Sequence, residues 1–181
     1  MGNFKTMEEA KAYFACDRFA TDNGATLDEL DAEHAVTSLT LGARHRNAFG
    51  GVMGGAIFTL ADFAFAALTN DRTRVVVAQQ VSINYLSPPK GGRLVATARW
   101  RKDGRSSCVV NVDVADDTGR DVAQFVGTGF RLGNEKPPAR AGFRRSGSPR
   151  FRGLAADASG PQAASRGTPG AVVETGIEAK T

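Results

Sequence analysis

The chain has 181 residues, two cysteines and a formal net charge of +4, which suits one soluble globular domain of ordinary size. Residues 134–181 hold eight Lys or Arg against four Asp or Glu; taking these from the totals of 23 and 19 leaves fifteen of each in residues 1–133. A neutral folded part excludes a nucleic-acid partner inferred from basicity, and no run approaches the ~18 apolar residues of a membrane-spanning helix, so no membrane partner is expected.

In chain order, Lys5, Glu8, Glu9 and Lys11 precede any apolar run. That argues against a secretory signal and for a cytoplasmic protein. Cys16 and Cys108 form no metal or redox spacing, and two lone thiols agree with a reducing compartment. Residues 7–19 read as a short amphipathic helix with Ala10, Phe14 and Phe19 on its apolar positions. His34 precedes a loosely alternating strand over 35–41 and has no partner pattern; His45, in the loop beyond, reads as structural or exposed.

Next come glycines 50, 51, 54 and 55, running into a helix in which only Thr59 and Asp62 are polar between residues 56 and 68. A helix apolar on every face is expected to be buried all round. Strands follow. Val75, Val77, Val81, Ile83 and Tyr85 stop at Pro88-Pro89; Leu94, Ala96, Ala98 and Trp100 lead to a turn at Asp103-Gly104; Cys108, Val110, Val112 and Val114 lead to 122–130. This alternation marks strands joined by hairpins, with Cys108 as a small buried hydrophobe. One long apolar helix followed by antiparallel hairpins gives an α+β class, a curved sheet wrapping the helix. The rest, 134–181, is rich in Pro, Gly, Ala, Ser and Arg and is expected to be a disordered basic tail.

Asp62 stands out, because an ionised carboxylate inside an apolar helix is costly unless it is paired or hydrogen-bonded. It either holds a backbone group or does chemistry; the flanking Phe63, Ala64 and Phe65 argue against solvent exposure. The glycines favour chemistry. A Gly-Gly helix start leaves bare N–H groups at the positive end of the helix dipole, which suits a carbonyl oxygen that becomes negative during reaction. Eight residues separate Gly54 from Asp62, about 12 Å along one helix. One chain cannot easily bring both to a single carbon, so the geometry implies a two-fold dimer with composite sites. Thr59 lies on roughly the face of Asp62 and is expected to bond its own helix backbone.

These residues resemble the PaaI-like (phenylacetate-pathway type) acyl-CoA thioesterases of the hotdog-fold superfamily. The likeness rests on His45-x-Asn47, Gly54-Gly55, Leu60-Ala61-Asp62 and Ile83-Asn84-Tyr85-Leu86-Ser87-Pro88, and spans about 130 residues, to Leu132. It implies a hotdog domain over 1–133 and hydrolysis of an aromatic or medium-chain acyl-CoA without a separate cofactor, coenzyme A being part of the substrate. By the same likeness Asp62 is base or nucleophile, the Gly54 N–H polarises the thioester carbonyl, and Asn47 holds substrate or water. Met53 and Gly55 line the substrate site, and Lys102 and Arg105 approach the nucleotide; Lys90, Arg93 and Arg101 also flank sheet turns. A homodimer, as a dimer of dimers, is the expected assembly. The chain departs from the family at Met53, where His is common, and at Ala78, where some relatives have Ser. The departure at Met53 keeps a second reading open, a non-catalytic acyl-CoA sensor or carrier.

Overall fold

A computed structural model of the protein describes residues 4–132; the basic segment 134–181 lies outside the described residues. The elements are α1 (Met7–Phe14), α2 (Arg18–Asp22), β1 (Ala25–Leu30), β2 (His34–Thr40), a 3-10 turn (Ala43–His45), α3 (Gly54–Thr69), β3 (Val75–Tyr85), β4 (Arg93–Asp103), β5 (Ser107–Asp116) and β6 (Asp121–Leu132). All six strands join one antiparallel sheet in the order β1-β2-β4-β5-β6-β3. The α3 helix lies across the buried face of this curved sheet, the α+β arrangement expected.

Alternation builds that face. Leu94, Ala96 and Ala98 of β4, Cys108, Val110, Val112 and Val114 of β5, and Val122 and Phe125 of β6 are almost fully buried. Between them point the partly covered residues of the outer face, as in an antiparallel sheet with one side toward water. Ala61, Ala64 and Ala67 keep α3 close to its floor. Phe65 presses onto β6, where a Cβ at position 127 would stand 2.8 Å from its ring.

The helix expected over 7–19 is two helices. After Phe14 the next inward positions of a continuous helix would be 17 and 18, occupied by Asp17 and Arg18. The chain instead breaks after α1 and restarts as α2, which turns Ala20 inward and leaves Phe19 74% exposed. β1 is absent from the elements expected from sequence. Ala25, Leu27 and Leu30 are buried, but a register shift between Leu27 and Glu29 interrupts the alternation that would mark a strand.

The expectation of a helix buried on every face needs correction as well. Gly55, Thr59, Asp62 and Ala66, spaced at i, i+4, i+7 and i+11, form a stripe of α3 that stays partly exposed in the single chain. β3 is open too: it pairs with β6 on one side only, and most of its side chains are exposed or half-buried.

Candidate active site

The α3 helix starts from a loop pinned by two side chains. The buried His45 ring donates from Nε2 to the Asn23 carbonyl at 2.7 Å, and its Nδ1 accepts the Gly42 N–H at 2.9 Å. A carbonyl can only accept and an amide N–H only donate, so these two bonds fix the tautomer and occupy both nitrogens. His45 is structural. His45→Ala is expected to lower stability by about 1–3 kcal/mol, from two hydrogen bonds and the packing of the ring, read from a thermal melt. Asn47 holds the next turn: its Oδ1 accepts the N–H groups of Phe49 (3.0 Å) and Gly51 (3.1 Å). Gly50 takes the left-handed φ of 79° that this turn requires. With the Asn47 oxygen occupied, only its NH2 is left to meet a substrate.

Met53 is the extended residue before the helix, and its N–H donates to the His45 carbonyl at 2.8 Å. No side chain caps α3, and the N–H groups of Gly54 and Gly55 have no acceptor among the described residues. Two donors therefore stand bare at the positive end of a 16-residue helix. The Met53 thioether, half-exposed, lies beside Gly55. Tyr85, at the end of β3, covers the other side: its hydroxyl donates to the Gly54 carbonyl at 3.1 Å. A Cβ at Gly54 would stand 3.1 Å from that ring, which would have to give by a few tenths of an ångström to admit one.

The Asp62 carboxylate is half-buried on the open stripe and accepts no hydrogen bond among the described residues. Burial, and secondarily the charge of Asp17 near the start of α2, push its carboxyl above the usual carboxylate range. Asp116 shows the opposite case. Hydrogen bonds from the Thr118 hydroxyl and from several backbone N–H groups, including those of Lys90, Gly91 and Arg120, hold it well below that range. A carboxylate with a raised affinity for protons and no fixed donors is suited to take a proton from water. The Thr59 hydroxyl makes no hydrogen bond among the described residues, contrary to the backbone bond expected of it; the Thr69 hydroxyl makes such a bond, to the Phe65 carbonyl at 2.9 Å.

Two cavities flank the α3 N-terminus. One, of about 480 Å³, includes Asn47, Gly54, Ile57 and Tyr85. The other, of about 370 Å³, includes Phe19, Met53, Gly55 and Thr59. The single chain thus gathers Asn47, Met53, Gly54 and Gly55 at one end of α3 and leaves Asp62 in neither cavity, about two turns away. Lys102 and Arg105 lie beyond the opposite end of the helix. Asp103 of the same hairpin pairs with Arg131, which is in register with Val76 just past the α3 C-terminus. Arg93 is occupied by Asp28 (2.8 Å) and Ser38 (2.6 Å). His34, expected without a partner, lies 2.8 Å from Asp31. Sequence reasoning missed Tyr85 as a neighbour of the site, because 31 residues separate it from Gly54 and a strand aromatic has no spacing signal. It also missed the place of Phe19, since that depends on the break before α2.

Residues 49–123 match the family described as Thioesterase superfamily. The acyl-coenzyme A thioesterase PaaI of Escherichia coli is 32% identical over 130 residues, covering 71% of this chain and 93% of that one. The structure of the E. coli PaaI protein from the phenylacetic acid degradation operon aligns with a TM-score of 0.65 at 31% identity, over 70% of this chain and 93% of the other. A hypothetical thioesterase from Streptococcus pneumoniae, solved with coenzyme A, aligns with a TM-score of 0.62 at 27% identity, over 68% and 97%.

Proposed function

We propose that this chain, which belongs to the thioesterase superfamily and is an acyl-CoA thioester hydrolase of hotdog fold, cleaves aromatic or medium-chain acyl-CoA at a site completed by a second copy. The thioester carbonyl accepts the bare N–H of Gly54 or Gly55, donors already aimed where negative charge develops. The partner copy's carboxylate at position 62 takes a proton from water as the water attacks the carbonyl carbon. Alternatively it attacks that carbon itself, forming a mixed anhydride that water then opens. In both routes the C–S bond breaks, the thiolate leaves as coenzyme A after gaining a proton, and the acyl group leaves as the free acid. Asn47 directs its NH2 at the substrate, and Met53 supplies apolar surface where relatives often carry imidazole.

The carrying observation is the separation itself. The bare donors and the unpartnered carboxylate lie about 12 Å apart on one helix, so antiparallel pairing of two α3 helices would set each donor pair against the other copy's carboxylate. The same pairing would bring the other copy's Lys102 and Arg105, at the far end of its helix, toward the Gly54 end, where a nucleotide could meet them. The open edge of β3 supports such a partner, since long unpaired edges are rarely left to solvent.

Release of free coenzyme A from a panel of aryl- and alkyl-CoA thioesters tests this reading. Turnover with a molar mass of at least a dimer is expected. Saturable binding with no turnover on any member of the panel would return the chain to the sensor reading, and turnover by a monomer would remove the composite site.

A further inference from the structure

Tyr85 ends β3, and its side chain comes back against the first residue of α3, 31 positions earlier in the chain. The backbone that carries it is held on β6. Tyr85 is in register with Ala123, and the N–H groups of Leu86 and Ser87 both donate to the Val122 carbonyl, at 2.9 and 3.3 Å. The Arg120 guanidinium adds a bond to the Ser87 hydroxyl at 3.0 Å. The phenol is therefore presented from the fixed end of a strand, where placement is more precise than on a free loop. Its hydroxyl donates to the Gly54 carbonyl at 3.1 Å; a carbonyl has two lone pairs and can take this donor beside a helical one. Burial does not demand the bond. Tyr85 is 51% exposed, so water could serve its hydroxyl equally well.

The consequence lies on the other side of the same peptide unit. The Gly54 carbonyl and the Gly55 N–H share one amide, in which a hydrogen bond received by the oxygen draws electron density from the nitrogen. The N–H becomes a stronger donor, the polarisation that runs along any chain of hydrogen bonds. The amide before it has no such bond from a side chain among the described residues: the Met53 carbonyl, which shares its amide with the Gly54 N–H, accepts from the backbone of Ala56 at 3.0 Å and Ile57 at 3.5 Å. Resting on the carbonyl placement proposed above, we infer that Tyr85 is a positioning residue for the reaction: its hydroxyl fixes the Gly54–Gly55 amide and strengthens the Gly55 N–H as a donor to the developing oxyanion.

Tyr85→Phe tests this, because it removes the hydroxyl and leaves the ring against Gly54. Polarisation strengthens a hydrogen bond by about 10–30%, and an oxyanion donor is worth about 10² to 10³ in kcat. The variant is therefore expected to lose roughly two- to eightfold in kcat, with KM and melting temperature unchanged, the pattern of an interaction made only in the transition state. A second readout follows the carbonyl directly. A substrate from the panel above, labelled with carbon-13 at the thioester carbonyl, is bound to Asp62→Ala with and without Tyr85→Phe. Infrared difference spectra should show the labelled band at higher frequency when the hydroxyl is missing, since a weaker donor polarises the carbonyl less. An unchanged kcat overturns the inference and leaves the hydrolase reading standing. A raised KM at constant kcat overturns it too and makes Tyr85 a wall of the substrate site. A lowered kcat with an unmoved carbonyl band reduces the hydroxyl to a structural tie, which also overturns it. No turnover by wild type defeats the underlying reading instead.

Discussion

Asp62→Ala is expected to lower kcat/KM for acyl-CoA hydrolysis at least about a hundredfold, the contribution of one well-placed general base, with fold and assembly intact. The side chain is only half-buried and supports no hydrogen bond, so its removal leaves no orphaned partner. Steady-state kinetics beside a melting curve check both halves of the statement. The raised proton affinity of Asp62 adds a pH signature: the acidic limb of kcat/KM should lie above the ordinary Asp value of 3.8. A second copy laid over the stripe would remove more water and act in the same direction. Stability should move the opposite way from activity. A carboxyl whose folded-state affinity for protons exceeds its unfolded one stabilises the fold while protonated, and that stability is lost as pH rises from 3.8 through the raised folded-state value. Above this window Asp62→Asn should therefore melt higher than wild type, and below it the two should converge. Equal melting points at neutral pH would count against a strained carboxylate.

Gly54→Pro is expected to cost about 10² to 10³ in kcat with little change in melting temperature. Gly54 is the first residue of α3, where proline is well tolerated because the N–H it lacks has no helical acceptor. Met53 already has the extended φ of −67° and ψ of 131° favoured before proline. The substitution thus deletes a donor with little backbone disturbance, and a lost oxyanion donor is worth that factor. Gly54→Ala is the control: it keeps the N–H and asks the Tyr85 ring to move by a few tenths of an ångström. Equal losses in both variants would assign the effect to crowding and leave Gly55 as the donor. The two dead variants can also be combined. If each site takes its donor from one copy and its carboxylate from the other, refolding Asp62→Ala with Gly54→Pro in equal amounts should restore about a quarter of wild-type activity, because half the dimers are mixed and each has one intact site of two. Sites built within one chain would restore nothing.

Much of this molecule is legible in its residues, for physical reasons that also mark the limits. The alternating strands from Val75 onward declare themselves because one face of the sheet is fully covered and the other is not. Asp62 is conspicuous because a charge in an apolar helix needs a reason. The break before α2 was available in principle, since the inward positions after Phe14 fall on Asp17 and Arg18, but amphipathic helix windows tolerate one such lapse. β1 is hidden by its register shift. The openness of the Gly55–Thr59–Asp62–Ala66 stripe could not be read, because apolar composition alone does not show which neighbours a helix will lack. Tyr85 against Gly54 belongs to tertiary structure alone.

The strand order has a consequence for the chain while it is being made. β3 follows α3 directly, yet its hydrogen-bonding partner is β6, which begins 36 residues after β3 ends. At about 5–20 residues per second on the ribosome, that interval lasts roughly 2–7 s. During it, a finished β3 has no strand on either side and the Phe65 face of α3 has no floor. Nascent chains are thus most adhesive between the completion of β3 and the arrival of β6, and their fate then depends on chaperones and crowding more than on the equilibrium of the finished fold. Damage to β6, at Gly127 or Phe125, would be felt first as chains lost to aggregation during synthesis, and only second as a lower melting point in those that survive.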